Sequence, residues 1–125
     1  MSIQGMNHFN VLTDDVEATR RFYVDVIGLA QGERPALGFD GAWLYAGGRA
    51  ILHVSKAKLP GARAGVIDHV AFSATDLKAT VARLEENGVE FVLRQQVGTR
   101  IWQVFCNDPM GAKVELDFDP SEAAP

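Results

Sequence analysis

The chain has one cysteine, Cys106, so no internal disulfide can form, and a reducing cytoplasm is the compartment expected. It also lacks any basic run. Its twelve Lys and Arg are scattered, and a net charge of −4 argues against a nucleic-acid or anionic-membrane partner, which would need clustered cations. No apolar stretch reaches the length of a membrane span. The polar opening Met1-Ser2-Ile3-Gln4 has neither the basic nor the apolar region of a signal peptide, so no membrane association is expected. What is left, at 125 residues and 47% hydrophobic, is the composition of an ordinary globular unit, with a real core only if both halves contribute.

The chain contains a repeat. Val66 to Ser73 is a β-branched and aromatic run around His69, followed through Thr75-Asp76 by a helical pattern from Leu77 to Asn87 that stops at Gly88. Asn7 to Leu12 is a similar run around His8, followed through Asp14-Asp15 by a helical pattern from Val16 to Ile27 that stops at Gly28. Setting His8 on His69 gives an offset of 61 (69 − 8), at which Asp15 falls on Asp76, Ala18 on Ala79 and Thr19 on Thr80. Each half ends in a strand with an ionisable residue in its middle, His53 in Ala50–Val54 and Glu115 in Lys113–Asp117, at 62 (115 − 53). A copy of this size cannot bury its apolar face alone, so it must pack on the other copy or on a second chain.

Taken in order, the first strand turns Phe9 and Val11 towards the helix and His8 and Asn10 away from it. Asp14 or Asp15 caps the helix, Asp14 with Glu17 making a box-like start, and Phe22 and Tyr23 belong to the core. Leu29 to Phe39 holds a short strand and a loop. The segment 42–46, Gly47-Gly48 and the segment 49–55 read as a hairpin. Positions 56–64 are the connection between modules 5–55 and 65–118 of a single domain spanning 1–125. In the second module, strands are expected at 89–94, 100–106 and 113–118, with 119–125 a frayed acidic tail. The order is βαβββ twice, an α+β fold of two modules.

The ionisable residues placed in mid-strand are His8, His53, His69 and Glu115, and they include every histidine. One strand histidine alone is more often a satisfied core or surface residue than a ligand. Glu115 alone could pair with Lys113. Four nitrogen and oxygen donors at matching positions of a repeat are explained together by a divalent metal, since charged groups on a sheet surface are costly unless paired or metal-bound. Imidazole and carboxylate without thiolate suit Zn, Ni, Mn, Co or Fe, and an open site rather than a structural one.

These residues resemble the vicinal oxygen chelate superfamily, the glyoxalase, bleomycin resistance and extradiol dioxygenase group. The resemblance is carried by the His8 strand leading to Asp14-Asp15 and Arg21-Phe22-Tyr23, by Asp68-His69-Val70-Ala71-Phe72, and by Asp108-Pro109-Met110-Gly111-Ala112-Lys113-Val114-Glu115-Leu116. It implies paired βαβββ modules with curved mixed sheets enclosing a metal held by His8, His69 and Glu115, with His53 at a fourth ligand place where glyoxalase I usually has Glu. In many members of this size the modules of two chains pair, which implies a homodimer with a metal site shared between subunits.

The activity so implied is a metal-dependent, glyoxalase-like lyase or isomerase acting on a small molecule chelated through adjacent oxygens, with Glu115 or His53 as general base. The alternatives are an Fe(II) extradiol-type dioxygenase with His53 as acid–base residue, a fosfomycin-type resistance transferase or hydrolase, and a non-catalytic binding protein. Asn10, Tyr45, Arg100 and Gln103 are the expected pocket residues. Arg100 and Gln103 are three apart on one expected strand and so face opposite sides, and Arg100 could equally be a solvated strand end. Trp43 and Trp102 are expected in the core or at a dimer interface.

Overall fold

The computed structural model describes residues 4–61 and 67–125. The chain divides into two compact units, Met1–Gly61 and Ala62–Pro125, each built on one four-stranded sheet. Position 65, Val66 and part of the expected connection lie outside the described residues.

In the first unit β1 (Phe9–Thr13) runs into α1 (Val16–Arg21), which continues as a π-helical stretch Phe22–Ile27. Asp15 is the cap, its carboxylate accepting from Ala18 N at 3.0 Å, while Glu17 pairs with Arg20 at 2.6 Å and does not close a box. Phe22, Tyr23 and Val26 are buried as the periodicity requires. Gly28 and Leu29 both donate to the Tyr23 carbonyl, and Gly28 ends the helix with φ 100°, where a side chain would be strained. Then come β2 (Ala30–Gly32), β3 (Gly41–Ala46) and β4 (Arg49–Lys56), with β3 and β4 joined by the expected Gly47-Gly48 turn.

The second unit repeats this plan: β5 (Val70–Ser73), α2 (Leu77–Glu86), β6 (Phe91–Gln95), β7 (Trp102–Asn107) and β8 (Lys113–Phe118). Strand order is β1-β4-β3-β2 in one sheet and β5-β8-β7-β6 in the other, and in both the first and last strands of the module pair in parallel while the other pairs are antiparallel. The α+β, doubled βαβββ reading holds. Alternation along β8 buries Val114, Leu116 and Phe118, and Leu77, Val81 and Leu84 of α2 are likewise buried.

Three expectations are corrected. His8 and His69 stand one residue before β1 and β5 rather than in mid-strand, because the ladders open at Phe9↔Leu52 and Val70↔Val114. Arg100 is not on β7: it has φ 66°, its N–H donates to Gln96 O at 2.9 Å, and the strand starts two residues later. The acidic tail is docked, not frayed. Glu122 accepts from Asp76 N at 3.0 Å and Leu77 N at 2.6 Å, and its carbonyl accepts from Trp102 Nε1 at 3.0 Å, so the tail satisfies donors that the start of α2 leaves open.

Candidate metal centre

Parallel pairing of first and last strands places one donor pair in each module. In the first, Asn10 lies opposite His53, and His8, two residues earlier, is its diagonal neighbour. The His8 and His53 rings stack with centroids 3.9 Å apart at 18°, and Trp43, opposite His53 on β3, stacks on it at 4.1 Å and 6°. Trp43 is half-buried and packs on His53 rather than in the core. Burial, above all, holds the His53 imidazole below its usual proton affinity; the nearby His8 and Arg34 add to this, and a hydrogen bond to the Ala50 backbone opposes it.

In the second module Ala71 lies opposite Glu115 and His69 is two residues earlier, the same diagonal. His69 Nε2 is 2.8 Å from Glu115 Oε2. Glu115 is 6% exposed, and its other oxygen accepts from Gln103 Nε2 at 2.7 Å. Gln103 Oε1 in turn accepts from Arg94 Nε at 3.0 Å. Lys113 goes to Asp68, at 3.2 Å, and not to Glu115. Asp117, two residues beyond Glu115 on β8, is pushed up to about 6 by burial first and then by Glu115, against Gln103 and His69.

The two modules share a further device. His8 Nδ1 meets Asn7 Oδ1 at 2.7 Å, and His69 Nδ1 meets Asp68 Oδ2 at 2.8 Å. In each case the acceptor is the residue just before the histidine. Metal-binding histidines are commonly fixed in this way, one ring nitrogen on an acceptor and the other left for the ion. The donor chemistry, imidazole and carboxylate, suits a divalent cation. Among the described residues no three His, Cys, Asp or Glu side chains form one cluster able to hold an ion; what each module presents is a pair.

Of the expected pocket residues only Gln103 touches a donor. Asn10 accepts from Ser55 Oγ at 2.8 Å beside His53, and Tyr45 spends its hydroxyl on Glu33 O at 2.6 Å. Arg100 lies exposed in the turn, where its carbonyl accepts from Gln95 Nε2 at 2.9 Å. A cavity of about 660 Å³ beside β6 and the end of β7 includes Val92, Phe105 and Lys113 but no expected site residue. Asn7, Asp68, Trp43, Arg94 and Asp117 are additions to the sequence reading. Asn7 and Asp68 fall on each other at the offset of the histidines and could have been found that way. The rest depend on cross-strand register.

The sequence matches the Glyoxalase/Bleomycin resistance protein/Dioxygenase superfamily over residues 5–116. The chain belongs to that superfamily. It is 32% identical to the protein named Glyoxylase I 4 of Arabidopsis thaliana over 93% of this chain and 71% of that one. Among solved structures, a protein from Bacillus anthracis described as of the glyoxalase family superposes with TM-score 0.79 at 22% identity, covering 95% of this chain and 98% of that one. FosX of Listeria monocytogenes, a fosfomycin resistance protein, superposes with TM-score 0.76 at 18% identity, covering 92% and 91%. At these identities the superpositions show the superfamily's fold and leave the reaction to the side chains. Among the described residues no helix is long and apolar enough to cross a membrane.

Proposed function

We propose that the protein is a divalent-metal-dependent enzyme of glyoxalase-like type, a lyase or isomerase acting on a small molecule bound through two adjacent oxygens, with His8, His53, His69 and Glu115 as ligands. The observation that carries this reading is the matched pair of Nδ1 contacts, Asn7 on His8 and Asp68 on His69, which leaves Nε2 of each ring as the nitrogen for the ion, that of His69 facing Glu115 Oε2. When bound, the ion would supply Lewis-acid stabilisation of negative charge developing on the substrate oxygens.

The chain's own residues do the remainder. Gln103 holds Glu115 Oε1, so that Oε2, which here faces His69 Nε2 at 2.8 Å, is the oxygen that would turn towards the ion or a substrate proton. The burial that depresses His53 keeps it neutral near pH 7, as either a ligand or a proton acceptor must be. Asp68, tied to Lys113 and His69, keeps the His69 ring from rotating.

One observation favours a second reading, the Fe(II) extradiol-type dioxygenase. An unligated imidazole at position 53 would need partners, and it has them: His8 and Trp43 on its faces and the Ala50 backbone at its edge. In that reading His8, His69 and Glu115 are a two-His, one-carboxylate set and His53 is the acid–base residue.

Metal analysis of protein purified without added metal, on the parent and on three Ala variants, tests both. His69→Ala and Glu115→Ala should each lose the ion while the far-ultraviolet circular dichroism stays that of a folded chain. Stoichiometric metal in both variants would refute the proposal. His53→Ala separates the readings, since a weakened affinity makes it a ligand, whereas unchanged affinity with turnover down by about 100-fold makes it the acid–base residue.

A further inference from the structure

We infer that Arg94 is an anion-binding residue of this site, so that the substrate carries an oxyanion group, a carboxylate or a phosphonate, a few bonds from its chelated oxygens. The inference rests on the metal-enzyme reading and deepens it. Arg94 lies opposite Gln103 in the β6–β7 ladder, and Gln103 joins it to Glu115 by one amide. Its guanidinium carbon sits 4.8 Å over the Phe105 ring, and Phe105 lies opposite Glu115 and meets His69 edge-on at 6.4 Å. Arg94, Gln103, Phe105, Glu115 and His69 thus form one connected surface.

Two features point to a ligand. Arg94 has no carboxylate within ion-pair distance among the described residues, although Glu115 and Asp117 stand on the same surface. Gln103 separates it from Glu115, taking the Nε–H on one side and giving its own N–H on the other. Beyond the Nε–H, the forked terminal N–H groups have no hydrogen-bond partner among the described residues, and they match the two oxygens of a carboxylate or phosphonate. Arg94 is held twice, by an amide and by a ring, so little of its freedom remains to be lost on binding.

The test uses Zn²⁺-loaded protein and two hydroxamates that offer the same pair of adjacent oxygens: acetohydroxamate, which is neutral at its far end, and succinic monohydroxamate, which ends in a carboxylate. Calorimetric titration should show the carboxylated ligand binding about 10- to 100-fold more tightly to the parent. Arg94→Gln should abolish that advantage and Arg94→Lys should keep part of it, with zinc content and acetohydroxamate affinity unchanged in both. Equal affinity of the two ligands for the parent, or an advantage that survives Arg94→Gln, would overturn the role of Arg94 and leave the metal reading standing. Loss of zinc from Arg94→Gln would make the residue a prop for Glu115 and would also overturn it. If the parent takes up no zinc, the metal reading fails and the inference falls with it; if it holds zinc and binds neither hydroxamate, the inference alone is overturned.

Discussion

The Asp68 carboxylate is shared between two partners: one oxygen, Oδ2, lies 2.8 Å from His69 Nδ1 and 3.2 Å from Lys113 Nζ. Both contacts hold the carboxyl below its ordinary proton affinity, the His69 hydrogen bond foremost. The anion is therefore kept where it can fix the imidazole.

This gives a prediction about a residue that would never touch the ion. Asp68→Ala should weaken metal affinity by about 10- to 100-fold, as loss of an outer-shell partner typically does, and Asp68→Asn should restore much of it because the amide can still accept from Nδ1. Competition against a chromophoric chelator measures both. Equal affinity in the parent and Asp68→Ala would show that the contact does not orient the ring.

Asp117 gives a dependence on pH with a definite sign. Its folded value is raised from 3.8 to about 6, so the protonated form is the one the fold prefers. The stability it contributes is fully present below about pH 4 and is lost as the pH rises through about 6. In metal-free protein, Asp117→Asn should gain thermal midpoint relative to the parent as the pH goes from 4 to 8. A difference that stays flat over that range would contradict the assignment.

Glu122 predicts a cost far from the site. Its carboxylate takes two backbone N–H groups at the start of α2, so Glu122→Ala should lower unfolding free energy by about 1–2 kcal/mol. Urea unfolding with an unchanged slope would register it, and the same midpoint in parent and variant would show that the tail is dispensable.

How much of this could be read from the chain depends on what each feature is made of. The helix from Val16 to Gly28 was legible because buried Phe22, Tyr23 and Val26 recur at its period and glycine stops it, although the change to π-type bonding at Phe22 left no mark in the pattern. His8, His53, His69 and Glu115 were legible as equivalent positions of a repeat. Arg94 was not, because its place opposite Gln103 depends on how β6 and β7 are registered across the turn between them. Arg100 misled for a related reason: the strand-like run Ile101–Cys106 was extended through a residue whose positive φ belongs to the turn. The docked tail was missed because a helix start far back in the chain, at Asp76, supplies its partners.

Because each donor pair is drawn from the opening and closing strands of its module, the pair exists only once a long-range parallel contact has closed. Loop-closure entropy is lost before that contact returns anything, which makes such pairings late steps in folding. A nascent chain that has emerged as far as β3 holds His8 without His53, and one that has emerged as far as β7 holds His69 without Glu115. Completion of each module and formation of its donor pair are thus one event: a chain cut short before β4 holds neither pair, and one cut short before β8 holds the His8–His53 pair and an unmatched His69.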